Sequence, residues 1–380
     1  MDALTTPSNW QRVRLGDIAE IIGGGTPSTQ ITSFWNGSIN WFTPTEIGIT
    51  KYVHKSQRTI TLLGLKKSSA KLLPIGTILL TSRASIGDCA ILKVVATTNQ
   101  GFQSLIPLEK INNEFLYYLM LTLKNKLLKL ASGSTFLEVS PNKIKNLLIP
   151  LPPLNEQIAI ANVLSDLDHY LCSLDALILK KESVKKALRI KMLNQILASN
   201  RVEFKKIGEI CLIKRGRVIA KKILQENGKY PVYSSQTLNN GILGFIDTYD
   251  FDGEFLTWTT DGAYAGSVFY RNGRFSITNV CGLLQVIQDN IIHKYLYYIL
   301  QITAPLHVNP GMGNPKLMSA AMQQIEIPLP PLNEQIAIAN ILSDLDHEII
   351  SLKNKKRQFD NIKKALNHDL MSAKIRVLKK

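Results

Sequence analysis

The nearest approach to a reactive cluster in this chain is four carboxylates, Asp247, Asp250, Asp252 and Glu254. Metal-assisted phosphodiester cleavage needs such a cluster with a lysine at a strand end. No lysine is suitably placed beside these four, so they read as a polar turn around Gly253. The glycine-rich Gly23–Ser28 stretch, GGGTPS, suggests a phosphate loop, but no Gly-Lys-Ser/Thr follows and a plain turn is expected. Neither a nucleophile-elbow G-x-S-x-G nor a zinc-binding HExxH occurs. An Asn/Asp-Pro-Pro-aromatic motif, which adenine methylation would require, is absent, because the Pro-Pro pairs follow Leu151 and Leu329. His169 and His347 have no second ligand at i+4 and are assigned a partner-facing or solvated role. Cys89, Cys172, Cys211 and Cys281 form no CxxC pair and are expected to be reduced thiols. No metal site and no catalytic residue are expected, and the chemistry left to this chain is non-covalent recognition.

Charge points to what is recognised. The formal net charge is +16 and the isoelectric point is near 9.6. Residues 1–149 hold 16 basic against 8 acidic side chains, and residues 201–327 hold 13 against 10. A basic chain suits a polyanion, since Lys and Arg displace condensed counterions from phosphates. Apolar content is 45%, with no run long enough to span a bilayer, so a globular chain is expected, and a cytoplasmic one.

The elements that must carry these residues are written twice. PLPPLNEQIAIANVLSDLDH at 150–169 recurs at 328–347 with one change, Val163 to Ile341, at an offset of 178. A core requires pattern and volume, not identity. Pro-Pro suits a helix start, and Glu156 and Glu334 suit its dipole. Ile160, Leu164, Leu167, Leu171, Leu174 and Ile178 then step 4, 3, 4, 3, 4, as do Ile338, Leu342, Leu345, Ile349 and Leu352 at 4, 3, 4, 3. The seam meets Lys181 and Lys356 and is expected to resume at Val184, Leu188, Met192 and Ile196, and at Phe359, Ile362, Leu366 and Leu370. Each helix is expected to run about 40 residues, roughly 60 Å, and to bury its stripe against its twin in antiparallel fashion.

The intervening segments echo each other faintly. Gly16–Ile21 matches Gly208–Ile213, Thr98-Asn99 matches Thr278-Asn279, and Phe115–Leu119 matches Tyr295–Ile299. The expected fold is α+β: two related β-rich domains with short helices, at 1–149 and 201–327. Two long helices at 150–200 and 328–380, packed as an antiparallel coiled coil, separate them in a pseudo-two-fold tandem repeat. Between the echoes the loops diverge, as in one scaffold reading two targets.

The repeated PLPPLNEQIAIANVLSDLD before a Lys-rich heptad helix, with Ser82–Leu105 and Thr257–Leu284 in the domains, resembles the specificity subunit of type I restriction–modification systems. The resemblance implies two target recognition domains held apart by conserved helices and a bipartite double-stranded DNA target with an unread spacer. It implies two adenine methyltransferase subunits as partners, with motor–nuclease restriction subunits in the restricting complex. S-adenosylmethionine is then expected on the methyltransferase only, with no cofactor on this chain. Helix length is expected to set the spacer.

Arg reads guanine best, and Asn or Gln reads adenine. The candidates in the first domain are Arg83, Ser85, Thr135, Lys143 and Lys145, with Thr26 and Ser28 on the glycine-rich turn. In the second domain Lys214, Arg215, Arg217, Lys221 and Lys222 are assigned to phosphates, and Gln236, Thr259, Thr260 and Asn314 to base edges. Trp41 and Trp258 are expected in the core. Ile158, Leu167, Leu177, Ile336, Leu345 and Ile350 are candidates for partner contact. The alternative class is a non-catalytic adaptor with two protein-binding domains on a coiled-coil strut.

Overall fold

The computed structural model describes residues 7, 9–133, 137–198, 202–311 and 313–377. It divides into two compact units, Met1–Asp175 with Lys355–Lys380, and Ala176–Asn354. Helix α1 spans Asn113–Leu130, α2 Leu154–Leu197, α3 His293–Thr303 and α4 Leu332–Met371. Helices α2 and α4 each begin in one unit and end in the other.

In the first unit a five-stranded sheet has the order Ala19–Gly23, Gln103–Pro107, Ile78–Leu80, Cys89–Leu92, Tyr52–Val53. A three-stranded sheet has Trp35–Phe42 between Arg58–Ile60 and Ala96–Thr98. Residues Ile78–Leu80 and Cys89–Leu92 are buried throughout, which suits their continuous apolar runs. Helix α1 lies on the core with Phe115, Leu116, Tyr118 and Leu119 buried. Its cap is Asn112, whose side chain accepts from the Phe115 N–H at 2.9 Å. A ribbon of Gln11–Arg14 with Leu148–Leu151 leads into α2.

The second unit holds a six-stranded sheet: Cys211–Arg215, Cys281–Val286, Phe251–Thr259, Val268–Ile277, Tyr230–Tyr233, Ile242–Ile246. Helix α3 covers it, and Glu203–Lys206 pairs with Glu326–Leu329 ahead of α4. The expected turn around Gly253 is instead strand: Phe251–Thr259 pairs along Val268–Ile277, with Gly253 opposite Gly273. Alternation of Asp252 and Glu254 outward with Phe251 and Phe255 packed in the core is a strand period, which the local charge density masked.

Within each unit the ends of α2 and α4 run antiparallel. In the first, Tyr170 packs on Phe359 at 4.8 Å, Asp175 meets Lys356 at 2.7 Å, and Asp168 meets Lys363. In the second, Lys181 meets Glu348 at 2.8 Å, Glu182 meets Lys353 at 2.6 Å, and Lys185 meets Asp346. Ile160, Leu164, Leu171, Leu174, Ile178, Leu342 and Ile349 are buried as the heptad reading expects. Beyond the slip Ile196 and Leu370 are buried and Leu188, Met192, Phe359 and Leu366 half-buried, as expected, but two positions depart. Val184 is 40% and Ile362 49% exposed, because the next residues, Lys185 and Lys363, turn inward to reach Asp346 and Asp168. Helix α4 stops at Met371, where Ala373 takes a left-handed conformation at φ 58°.

The repeated segment explains part of its own identity. Gln157, buried, accepts from the Asn112 N–H and donates to the Pro152 and Lys110 carbonyls at 2.8–3.1 Å. Gln335 makes the same bonds with Ile292, Pro330 and Asn290 at 2.9–3.2 Å. Asp168 accepts from the Tyr118 hydroxyl and Asp346 from that of Tyr298. Each of these aspartates joins a domain helix to both long helices.

Candidate nucleic-acid interface

In the first unit four loops meet at one end of the domain. The glycine-rich turn packs against the end of Ala96–Thr98: the Gly25 N–H donates to the Thr98 carbonyl at 2.8 Å. A Cβ on Gly24 would lie 1.9 Å from the Asn99 carbonyl oxygen, so close backbone approach demands glycine there. Thr26 donates to Gln100. The Gly101 carbonyl accepts from the Ser82 N–H at 2.8 Å, and the Ser82 carbonyl from the Val139 N–H at 3.1 Å. Beneath them Trp41, 4% exposed, donates its indole N–H to Gly25 at 2.9 Å.

The second unit repeats the Ser82 and Val139 bonds at Thr260 and Leu317, with a different bond at its glycine. The Gly216 N–H donates to Cys281 at 3.2 Å, Thr260 to Val280 at 3.0 Å, and Leu317 to the Thr260 carbonyl at 2.9 Å. Trp258, fully buried, donates its indole N–H to Leu317 at 2.9 Å. Both tryptophans are core residues, as expected, and both support loop backbone.

The candidates fare differently. Ser28 is exposed and Arg83 half-exposed, the latter paired with Glu138 at 2.8 Å. The Ser85 hydroxyl is buried. Lys143 donates to the Leu130 carbonyl and the Ser132 hydroxyl at 2.8 and 2.9 Å, so it closes the C-terminal end of α1. Lys145 is exposed, and Thr135 lies outside the described residues. In the second unit Lys221 and Lys222 are exposed on one short turn, and Lys214 is exposed beside Gln285. Arg215 donates to the Asn279 carbonyl, and Arg217 is held by Asp250 at 3.0 Å. Asn314 is exposed, while Gln236 spends its amide on the Ile242 carbonyl. Thr259 and Thr260 are corrected: both are 0% exposed, because the strand end that carries them lies beneath the Leu317 segment.

Sequence reasoning missed Glu138, Asp261 and Lys316, which sit on the same loops. The 178 offset, extended past the repeated segment, places Arg83 against Asp261 and Glu138 against Lys316. The acidic cluster carries no open chemistry. Asp250 holds Arg217, Asp252 holds Arg274 at 2.9 Å, and Glu254 accepts from Tyr270 at 2.7 Å. Among the described residues no group of His, Cys, Asp or Glu could hold a metal. Burial pushes the Cys89, Cys211 and Cys281 thiols up to about 12, so they stay protonated and unreactive near neutrality. No helix among the described residues is long and apolar enough to cross a membrane.

A second surface lies on the long helices. Leu154, Asn155, Ile158, Asn162, Asp166 and His169 are exposed, and so are Leu332, Asn333, Ile336, Asn340, Asp344 and His347, the same letters in the second copy. Ile158 and Ile336 are 42% and 41% exposed. Leu177 and Ile350 are exposed as well, whereas Leu167 and Leu345 are half-buried beside the seam.

Residues 7–181 and 200–359 each match the type I restriction modification DNA specificity domain. The chain belongs to that family. Its two matched segments are two copies of a DNA-specificity domain, and its reading as a non-catalytic chain follows from that membership. A putative type I specificity subunit N-terminus of Mycoplasma pneumoniae is 53% identical over 138 residues, covering 36% of this chain and 74% of the relative. The MjaIX specificity subunit of Methanocaldococcus jannaschii is 43% identical over 166 residues, covering 43% of this chain and 38% of the relative. The chain thus spans well under two thirds of several curated relatives in these alignments. Fold similarity extends further. The type I S subunit of M. genitalium superposes with a TM-score of 0.67 at 20% identity, over 97% of this chain and 98% of that one. The HsdS subunit of Thermoanaerobacter tengcongensis gives 0.55 at 18%, over 98% and 99%.

Proposed function

We propose that this chain is the sequence-reading subunit of a type I restriction–modification complex acting in the cytoplasm. Each domain reads one half of a bipartite duplex site, and the stretch between the halves is unread. The observation that carries the proposal is a pair of loop clusters on one hydrogen-bonded frame, with matching backbone contacts and unlike side chains. Phosphate contacts from Ser28, Lys145, Lys214, Lys221 and Lys222 supply affinity and register; base contacts from the loop rims supply specificity.

The identical exposed stripes on α2 and α4 then take two copies of one partner, an adenine methyltransferase. Chemistry belongs to that partner. It carries S-adenosylmethionine and takes the target base out of the duplex stack. Motor–nuclease subunits join in the restricting form. The length of the paired helices sets the spacer, since a helix pair fixes rotational phase where a flexible linker does not.

The test is duplex binding by the chain with its methyltransferase across a salt series. Counterion release predicts a loss of about a thousand-fold or more between 50 and 200 mM salt. A flat salt response with tight binding to an unrelated protein would instead establish the adaptor reading.

A further inference from the structure

At the rim of each loop cluster the two domains present a pair of opposite charges in opposite order. Arg83 and Glu138 occupy the positions that Asp261 and Lys316 occupy 178 residues later. The equivalence is structural as well. Arg83 forms a backbone bridge with Glu138, and Ser132 bridges Glu138; Asp261 bridges Lys316, and Asn309 bridges Lys316. The residue after the first member is left-handed in both, Ala84 at φ 56° and Gly262 at φ 92°. An alanine held there is costly, of order 1 kcal/mol, and persists where the surroundings fix the turn.

The side chains are presented differently. The Arg83 side chain is 42% exposed and its guanidinium lies 2.8 Å from Glu138, which fixes its fork while leaving it donors to spare. In the second domain Asp261 Oδ1 is buried and, among the described residues, has no hydrogen-bond partner. Lys316 lines a cavity of about 250 Å³ with Asn309, Gly311 and Asn314. A buried carboxylate oxygen left unpaired is costly, and a donor delivered by a ligand relieves it.

We infer that Arg83 and Asp261 are the equivalent base-reading positions of the two domains, of opposite polarity. Arg83, braced by Glu138, donates to the O6 and N7 acceptors of a guanine in one half-site. Asp261, beside Lys316, accepts from the exocyclic amino group of a cytosine or adenine in the other. Reversing the pair lets one loop frame read a donor-poor base edge in one domain and a donor-rich one in the next. This inference rests on the DNA-reading function proposed above.

The test is selection of bound sequences from a randomised duplex library by the full chain and by single variants. Wild type selects a gapped motif. Arg83→Lys keeps the charge but not the fork, and is expected to lower the preference for guanine at one position by roughly five- to a hundred-fold. Asp261→Asn keeps the shape, and is expected to change the preferred base at one position of the opposite half. In each case the untouched half reports that the variant is folded. Motifs identical to wild type in both halves, or a uniform loss of binding across all sequences, would overturn the assignment. A wild-type chain that selects no motif would remove the underlying function instead, and that result appears before any variant is made.

Discussion

Glu156 and Glu334 occupy the same place in the two copies of the repeated segment, yet their surroundings differ. Glu156 is 2% exposed, clasped by Nε and Nη2 of Arg376 at 2.8 and 2.7 Å and by the Trp10 indole N–H at 3.1 Å. Glu334 is exposed. Packing inside the chain therefore accounts for the glutamate in one copy and not in the other. Gln157 with Gln335, and Asp168 with Asp346, make the same bonds in both units, and there internal packing is reason enough. The identical letters that face solvent in both copies, Asn155, Ile158, Asn162, Asp166 and His169 with their counterparts, are not explained by packing inside the chain. Under the function proposed above, two equivalent surfaces for one kind of partner would account for them.

The largest effect expected from this comparison is at the solvent-facing stripe. Ile158→Asp with Ile336→Asp should weaken capture of methyltransferase by more than about a hundred-fold, as loss of paired interface anchors does. The unfolding free energy from denaturant titration should change by less than about 0.5 kcal/mol, since both side chains are exposed. Pull-down at wild-type level would remove the stripe from the interface. Leu167 and Leu345 are blunter probes, because an aspartate there also disturbs the seam.

A smaller effect, on folding, is expected at the junctions. Asp168→Asn and Asp346→Asn each leave a partly buried lysine, Lys363 or Lys185, without its anion and weaken a tyrosine hydrogen bond. The cost should be about 1–3 kcal/mol, after allowance for partial exposure. Asp346→Asn should be the more severe, because the Lys185 side chain is 15% exposed against 23% for Lys363. Urea unfolding of the full chain reads the order; equal midpoints with wild type would mean the pairs do not hold the domains to the helices.

The smallest predicted difference is between the two glutamates themselves. Glu156→Gln should destabilise by about 1–2 kcal/mol, and Glu334→Gln by under about 0.5 kcal/mol. Equal losses would make their environments alike, and the argument from asymmetry would fail.

Much of this was legible in the sequence. The heptad steps located the seam, and the Pro-Pro pairs marked the starts of α2 and α4 to within about four residues, 150 and 328 against the observed Leu154 and Leu332, because helical period and proline are local signals. The slip was visible at Lys181 and Lys356, but not its outcome. Turning Lys185 and Lys363 inward depends on aspartates far away in the chain. Thr259 and Thr260 looked like loop readers because TWTTDG is polar; only the fold reveals that the Leu317 segment covers them. Conversely, Asp261 and Lys316 looked like ordinary charges until the backbone bridges gave them, in their own unit, the places that Arg83 and Glu138 hold in the other. Residue type announces a period or a cap well, and announces poorly which side of a loop will face outward.

The most direct measurement is methylation-sensitive sequencing of a genome before and after this chain is expressed with its methyltransferase. The account predicts one new methylated motif in two unlike halves, separated by a constant unread gap. A contiguous motif, two copies of the same half, a variable gap, or no new methylation would contradict it.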